Sequence, residues 1–129
     1  TKAAQYLLQA AEFGRVINLA SIFSTVSYPD RLSYASSKAG VLLFSKTIAL
    51  EWALYGITVN TISPGPLLTE INKKVLNDKV NYDKFCERIP MRRFGEPYEI
   101  VTAALFLASP LSGYVTGSDV IVDGGWTSS

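Results

Sequence analysis

Three short runs of apolar and β-branched residues, at 16–20, 57–62 and 120–122, are separated by stretches of helical periodicity. That alternation constrains the fold more than any other feature, because strands that alternate with helices close into a parallel sheet through crossover connections. Residues 1–13 place Ala4, Leu7, Leu8 and Ala11 at helical spacing, with Gly14 where the helix would stop. The run at 16–20 is nearly continuous in apolar character, as in strands covered on both faces. A polar loop containing Pro29 follows, and the pattern then predicts a long helix over 34–54, ended by Gly56. The β-branched run at 57–62 reads as a strand halted by Pro64-Gly65-Pro66. Residues 69–88 are polar with scattered apolar positions, which predicts one or two short surface helices forming a lid more than core. Pro97 opens a helix carrying Ile100, Val101, Ala104, Leu105 and Leu107, and after a turn at 113–117 the run 120–122 is the last strand. The expected class is α/β, with no repeat and no linker.

Composition narrows the chemistry. A chain of 129 residues with 48% hydrophobic content can bury a core as one domain. Lys and Arg number 12 against 11 Asp and Glu, so no broad field favours nucleic acid or an acidic membrane. There is no histidine and one cysteine, Cys86, which excludes His-based nucleophilic triads and argues against a zinc site of the His/Cys type. One cysteine forms no internal disulfide, and the opening Thr1-Lys2-Ala3-Ala4 lacks a secretory pattern, so a reducing, cytoplasmic setting is expected. No run approaches the roughly 18 apolar residues of a membrane span.

Chemistry must therefore come from Ser, Tyr, Lys, Asp or Glu. Tyr34 and Lys38 stand four residues apart, which puts a phenol and an ammonium on one helix face. A free phenol is a poor acid or base near neutral pH, and a neighbouring cation favours its ionised form. Taken alone this pair is a common coincidence. Ser21, however, follows the strand at 16–20, and a parallel sheet presents ligands at the carboxyl ends of its strands. A hydroxyl there can hold the same oxygen that the phenol protonates or deprotonates.

The order Ser21, then Tyr34-x-x-x-Lys38, resembles the short-chain dehydrogenase/reductase family. The resemblance extends through Asn60-Thr61-Ile62-Ser63-Pro64-Gly65 with Thr69, through Arg92-Arg93-Phe94-Gly95-Glu96-Pro97, and through Thr116-Gly117 and Val122-Asp123-Gly124-Gly125. It implies the C-terminal half of a doubly wound, Rossmann-type parallel sheet, with residues 1–129 as a single partial domain. Family enzymes are about twice as long, and their Gly-rich cradle for the cofactor pyrophosphate would precede Thr1. The implied activity is hydride transfer between NAD or NADP and a hydroxyl/carbonyl pair. Tyr34 would be the general acid/base and Ser21 the residue that orients the reacting oxygen. Lys38 would hold the nicotinamide ribose and favour the phenolate, while Pro64, Gly65, Leu67 and Thr69 would lie along the nicotinamide.

The substrate would be a small alcohol or carbonyl compound, read by Ser21, Ile22, Phe23 and Tyr28 and by the segment 68–85. Similarity of 69–72 and 124–127 to gluconate- and glucose-type dehydrogenases suggests a polyol or sugar acid; 3-oxoacyl-thioester reductases share nearly every motif. A reading of another class is a catalytically silent fragment or interaction module. The strand at 16–19 would expose an edge that needs a covering chain. The resemblance assigns the later motifs and the long helix to packing between copies, so a homo-oligomer, dimer or tetramer, is expected.

Overall fold

The computed structural model describes residues 2–129. Thr1, at the start of the expected first helix, lies outside the described residues. In chain order the elements are α1 (Gln5–Ala10), β1 (Arg15–Leu19), α2 (Leu32–Trp52), β2 (Thr58–Pro64), α3 (Lys73–Leu76), α4 (Lys79–Arg88), α5 (Val101–Ala108) and β3 (Asp119–Val122). The strands form one parallel sheet in the order β1-β2-β3, with Ile17 beside Asn60 and Ile62 beside Val120.

The first helix is shorter than its periodicity suggests. A 3-10 turn at Lys2–Ala4 precedes α1, and the chain is already extended at Ala11. Gly14 is there for close approach, because a Cβ at that position would meet the Leu8 carbonyl oxygen at 2.7 Å and Ile57 Cγ1 at 2.9 Å. Helix α2 begins two residues earlier than expected and runs 21 residues. It buries Leu42, Ser45, Ile48, Ala49 and Trp52, whose spacing lays them along one helical face. Ile48, Ala49 and Trp52 pack with Ile57 and Val59 as the core beneath the sheet. A 3-10 turn then ends at Gly56, whose φ of 72° is the left-handed conformation that glycine adopts without strain.

Strand β2 is buried along nearly its whole length, although much of it is polar. The hydroxyls of Thr61 and Ser63 and the amide of Asn60 are satisfied across the sheet, while the buried Thr58 hydroxyl has no partner among the described residues. Thr61 Oγ1 and Ser63 Oγ each donate to Asp119 Oδ1 at 2.7 Å. Asn60 donates to the Val115 carbonyl at 2.8 Å and accepts from the Ser118 N–H at 3.0 Å. The strand does not halt before Pro64, as expected from sequence, but includes it. The Thr61 and Gly65 N–H groups donate toward the β3 side, so the alternate position 64 faces the β1 side. There β1 has already ended opposite Ile62, and no donor is missed.

The segment 69–88 also departs from a detached lid. Tyr82, Phe85 and Cys86 share one face of α4, and Cys86 is buried with Ile22, Ile89, Phe94 and Trp126. Trp126, near the chain's end, is only 5% exposed. Pro97 opens the last helical segment as expected, with the Glu96 N–H donating to Glu99 Oε2 at 2.7 Å.

Candidate active site

A cleft of about 770 Å³ opens at the carboxyl ends of β1 and β2. Ser21, Tyr34 and Lys38 all line it, together with Pro64, Gly65, Leu67 and Thr69, so the structure brings these sequence-predicted residues around one space. Ser21 follows β1 and caps a 3-10 turn at Ile22–Ser24. Its Oγ accepts the Phe23 N–H at 3.2 Å, which fixes the hydroxyl and leaves its own hydrogen for an acceptor in the cleft. Tyr34 lies in the first turn of α2 and is 40% exposed, with Phe23 edge-on to its ring at 6.3 Å between centroids. Lys38 stands one turn further along. Its Nζ donates to the carbonyl of Leu19, the last residue of β1, at 2.9 Å and lies 5.8 Å from the centre of the Tyr34 ring. The ammonium is thus held at the phenol by backbone.

The opposite wall is a braced loop. Gly95 N–H donates to the Pro66 carbonyl at 2.9 Å and the Leu68 N–H donates to the Gly95 carbonyl at 2.9 Å, which pins residues 66–68 against Gly95. Gly65 must be glycine for space: a Cβ would stand 2.7 Å from Asp123 Cα. The Leu67 carbonyl accepts from the Thr69 N–H and from Asn72 Nδ2. Among the described residues, the Leu67 N–H and the Thr69 hydroxyl have no protein partner. A free amide donor and a free hydroxyl beside Gly65 are the groups needed to hold a planar carboxamide, so the residues present fit a nicotinamide ring.

The residues expected to read substrate divide. Phe23 is half-buried and faces the cleft beside Tyr34. Ile22 touches the cleft but is 1% exposed and anchored in the buried cluster, so it shapes the wall from behind. Tyr28 does not line the cleft. It packs against Phe85 at 5.3 Å and Trp126 at 6.1 Å, where Arg88 lies over both the Tyr28 and Trp126 rings at 5.1 and 5.0 Å. Of the segment 68–85, Thr69, Ile71, Asn72 and Phe85 reach the cleft. Sequence reasoning did not single out Asp30, Arg31 and Ser33, which also line it. Their position within one turn of Tyr34 was the available signal.

A family model described as enoyl-(acyl carrier protein) reductase matches residues 1–127. The chain belongs to the short-chain dehydrogenase/reductase family. It is 40% identical over 114 residues to an NAD-dependent glycerol dehydrogenase of Listeria innocua, covering 88% of this chain and 44% of that protein. It is 39% identical over 112 residues to a 3-oxoacyl-(acyl-carrier-protein) reductase of Buchnera aphidicola, covering 87% of this chain and 45% of that one. Among solved structures, a gluconate 5-dehydrogenase from Burkholderia cenocepacia, in complex with NADP and tartrate, superposes with a TM-score of 0.95 at 37% identity. That match covers 99% of this chain and 50% of the other. The chain thus spans about half the length of the relatives it matches, and its three strands form part of a Rossmann-type sheet. Among the described residues no group of three metal-binding side chains is found, and no helix is long and apolar enough to cross a membrane.

Proposed function

We propose that residues 1–129 form the catalytic half of an NAD- or NADP-dependent oxidoreductase that interconverts a hydroxyl and a carbonyl group. A preceding segment would bind the cofactor pyrophosphate. The observation that carries this reading is the convergence of Ser21, Tyr34 and Lys38 on one cleft at the strand ends. A bound nicotinamide would supply the site that accepts or donates hydride. Leu67 N–H and the Thr69 hydroxyl would hold its carboxamide, with Pro64 and Gly65 along the ring. In the oxidative direction, Ser21 Oγ donates to the substrate oxygen and positions it. Tyr34 Oη takes the hydroxyl proton as hydride leaves the same carbon, and gives the proton back in the reductive direction. Lys38, anchored on the Leu19 carbonyl, stabilises the negative charge on the Tyr34 oxygen.

The substrate class best supported is a polyol or sugar acid. The glycerol and gluconate dehydrogenases among the relatives favour it, as does the tartrate bound to one of them. A 3-oxoacyl thioester is the second reading, favoured by the Buchnera relative and by the apolar lining from Phe23, Leu67, Ile71 and Phe85. Exposed Leu43, Leu50 and Leu54 on and after α2, and Leu105 and Phe106 on α5, support a homo-oligomer. One cysteine supports a cytoplasmic setting.

The test is a cofactor-coupled screen of the full-length protein across polyols, sugar acids and oxoacyl thioesters, with NADH and NADPH fluorescence reporting binding. Tyr34→Phe is expected to lower kcat about 1,000-fold without moving the thermal midpoint. Retained turnover in that variant overturns the proposal. Lys38→Met is expected to lower kcat/KM about 100-fold with the thermal midpoint unmoved; retained turnover removes Lys38 from the mechanism.

A further inference from the structure

We infer that Arg31 is the specificity residue of this cleft, and that it selects substrates carrying a carboxylate. The inference deepens the oxidoreductase reading above and rests on it. Arg31 precedes α2, lies one helical turn before Tyr34, lines the cleft and is half-buried. The other arginines are all engaged. Arg15 donates to the Gly14 carbonyl, Arg92 to the Glu87 carbonyl, and Arg93 pairs through two nitrogens with Glu99. Arg88 lies over two aromatic rings. Among the described residues, the Arg31 side chain has no hydrogen bond, ion pair or aromatic ring. A guanidinium that lines the cleft with no protein partner keeps its fork open, and its planar donors suit a carboxylate held through two oxygens.

The surroundings point the same way. Arg31 occupies the cap position of a 21-residue helix that has no side-chain cap, and Leu32 and Ser33 of its first turn line the same cleft. The partial positive charge of that helix end adds to the guanidinium. Lys38 contributes a second cation, and the opposing charge is Asp30, which is exposed at the rim. No glutamate lines the cleft. Asp30 can accept hydrogen bonds from substrate hydroxyls, while Arg31 takes the acid group. The class that meets both is a polyhydroxy acid whose reacting hydroxyl reaches Ser21 and Tyr34 while its carboxylate reaches Arg31. A neutral polyol leaves the Arg31 fork empty.

The experiment compares gluconate with sorbitol as substrates of the full-length protein, in the unsubstituted form and as Arg31→Gln and Arg31→Lys. The unsubstituted protein is expected to favour gluconate in kcat/KM. In Arg31→Gln the gluconate-to-sorbitol preference is expected to fall about 30-fold, mainly through a higher KM for gluconate. Arg31→Lys, which keeps the charge and loses the fork, should recover part of it. An unchanged preference in Arg31→Gln overturns the inference. So does an unsubstituted protein that favours sorbitol or an oxoacyl thioester, which needs no variant to fold; in either case a Tyr34→Phe protein that has lost turnover keeps the oxidoreductase reading standing. No turnover with any substrate and no change in NADH or NADPH fluorescence removes that reading and this inference with it.

Discussion

The two buried clusters of this molecule are built in different ways. The cluster beneath the sheet draws Ile48, Ala49 and Trp52 from one helix, Ile57 from the residue before β2 and Val59 from β2, a mostly contiguous stretch against which Leu8 and Val16 also pack. The aromatic cluster gathers Ile22, Cys86, Ile89, Phe94 and Trp126, flanked by Phe23, Tyr28, Tyr82 and Phe85, from segments scattered along the chain. The first supports Tyr34 and Lys38 from beneath, through α2 and the sheet. The second forms the outer wall beside Phe23 and Phe85, where substrate would lie. On the proposed function, proton chemistry would rest on the core beneath the sheet, and substrate fit on the aromatic one. The two can be perturbed separately.

The largest separation is expected from Ile57→Ala, which removes a side chain 1% exposed beneath the sheet. It should lower the unfolding free energy by about 3 kcal/mol, read by denaturant titration, while the KM of the molecules still folded stays near the unsubstituted value. A raised KM there would mean that the clusters are not independent. Trp126→Phe should cost about 1–2 kcal/mol, less than a truncation, because an aromatic ring is kept. Its mark is a KM change larger than the kcat change, since Phe23, Tyr28 and Phe85 all contact the ring it replaces. Arg88→Met should cost about 1 kcal/mol by removing a cation from two ring faces. Acrylamide quenching of Trp126 fluorescence, in a Trp52→Phe background, should rise in that variant; unchanged quenching would detach Arg88 from the cluster.

The smallest effect is expected at Glu99, beside the aromatic cluster. The Arg93 guanidinium, hydrogen-bonded through two nitrogens, holds the Glu99 carboxyl down at about 2 from an ordinary 4.5. A carboxyl that is more acidic in the folded state stabilises it above the unfolded value. That contribution is complete above about pH 4.5 and fades as the pH falls toward 2. Glu99→Gln should therefore lower the thermal midpoint slightly at pH 7, with the difference from the unsubstituted protein closing below pH 4.5. Because the pair is exposed to solvent, high salt should shrink the difference at pH 7 as well.

Features written locally in the sequence were legible, and features assembled at long range were not. The three strands announced themselves as short β-branched runs, and the spacing of Tyr34 and Lys38 put them on one helix face. Their meeting with Ser21 followed from the rule that ligands gather at strand ends. Trp126 and Phe94 carried no periodic signal linking them to Phe23, because nothing in a linear pattern states which distant rings share a pocket. Ile22 was expected at the substrate for its position beside Ser21, but the 3-10 turn after β1 carries it into the core. The strand through Pro64 was hidden because a proline reads as a stop unless the neighbour it fails to bond is known to have ended. Asp119 gave no hint that it would bind two hydroxyls of β2, since Thr61 and Ser63 read equally well as ordinary strand residues.

The bond from Lys38 to the Leu19 carbonyl has a mechanical consequence. It ties a charged group to the last peptide of β1, which is an outer strand of the sheet described here. Any chain that docks along that free margin and shifts β1 by a fraction of an ångström will drag the ammonium relative to the phenol. Turnover would then serve as a gauge of how well the sheet has been completed, and a loosely assembled molecule would lose its proton chemistry before it lost its shape.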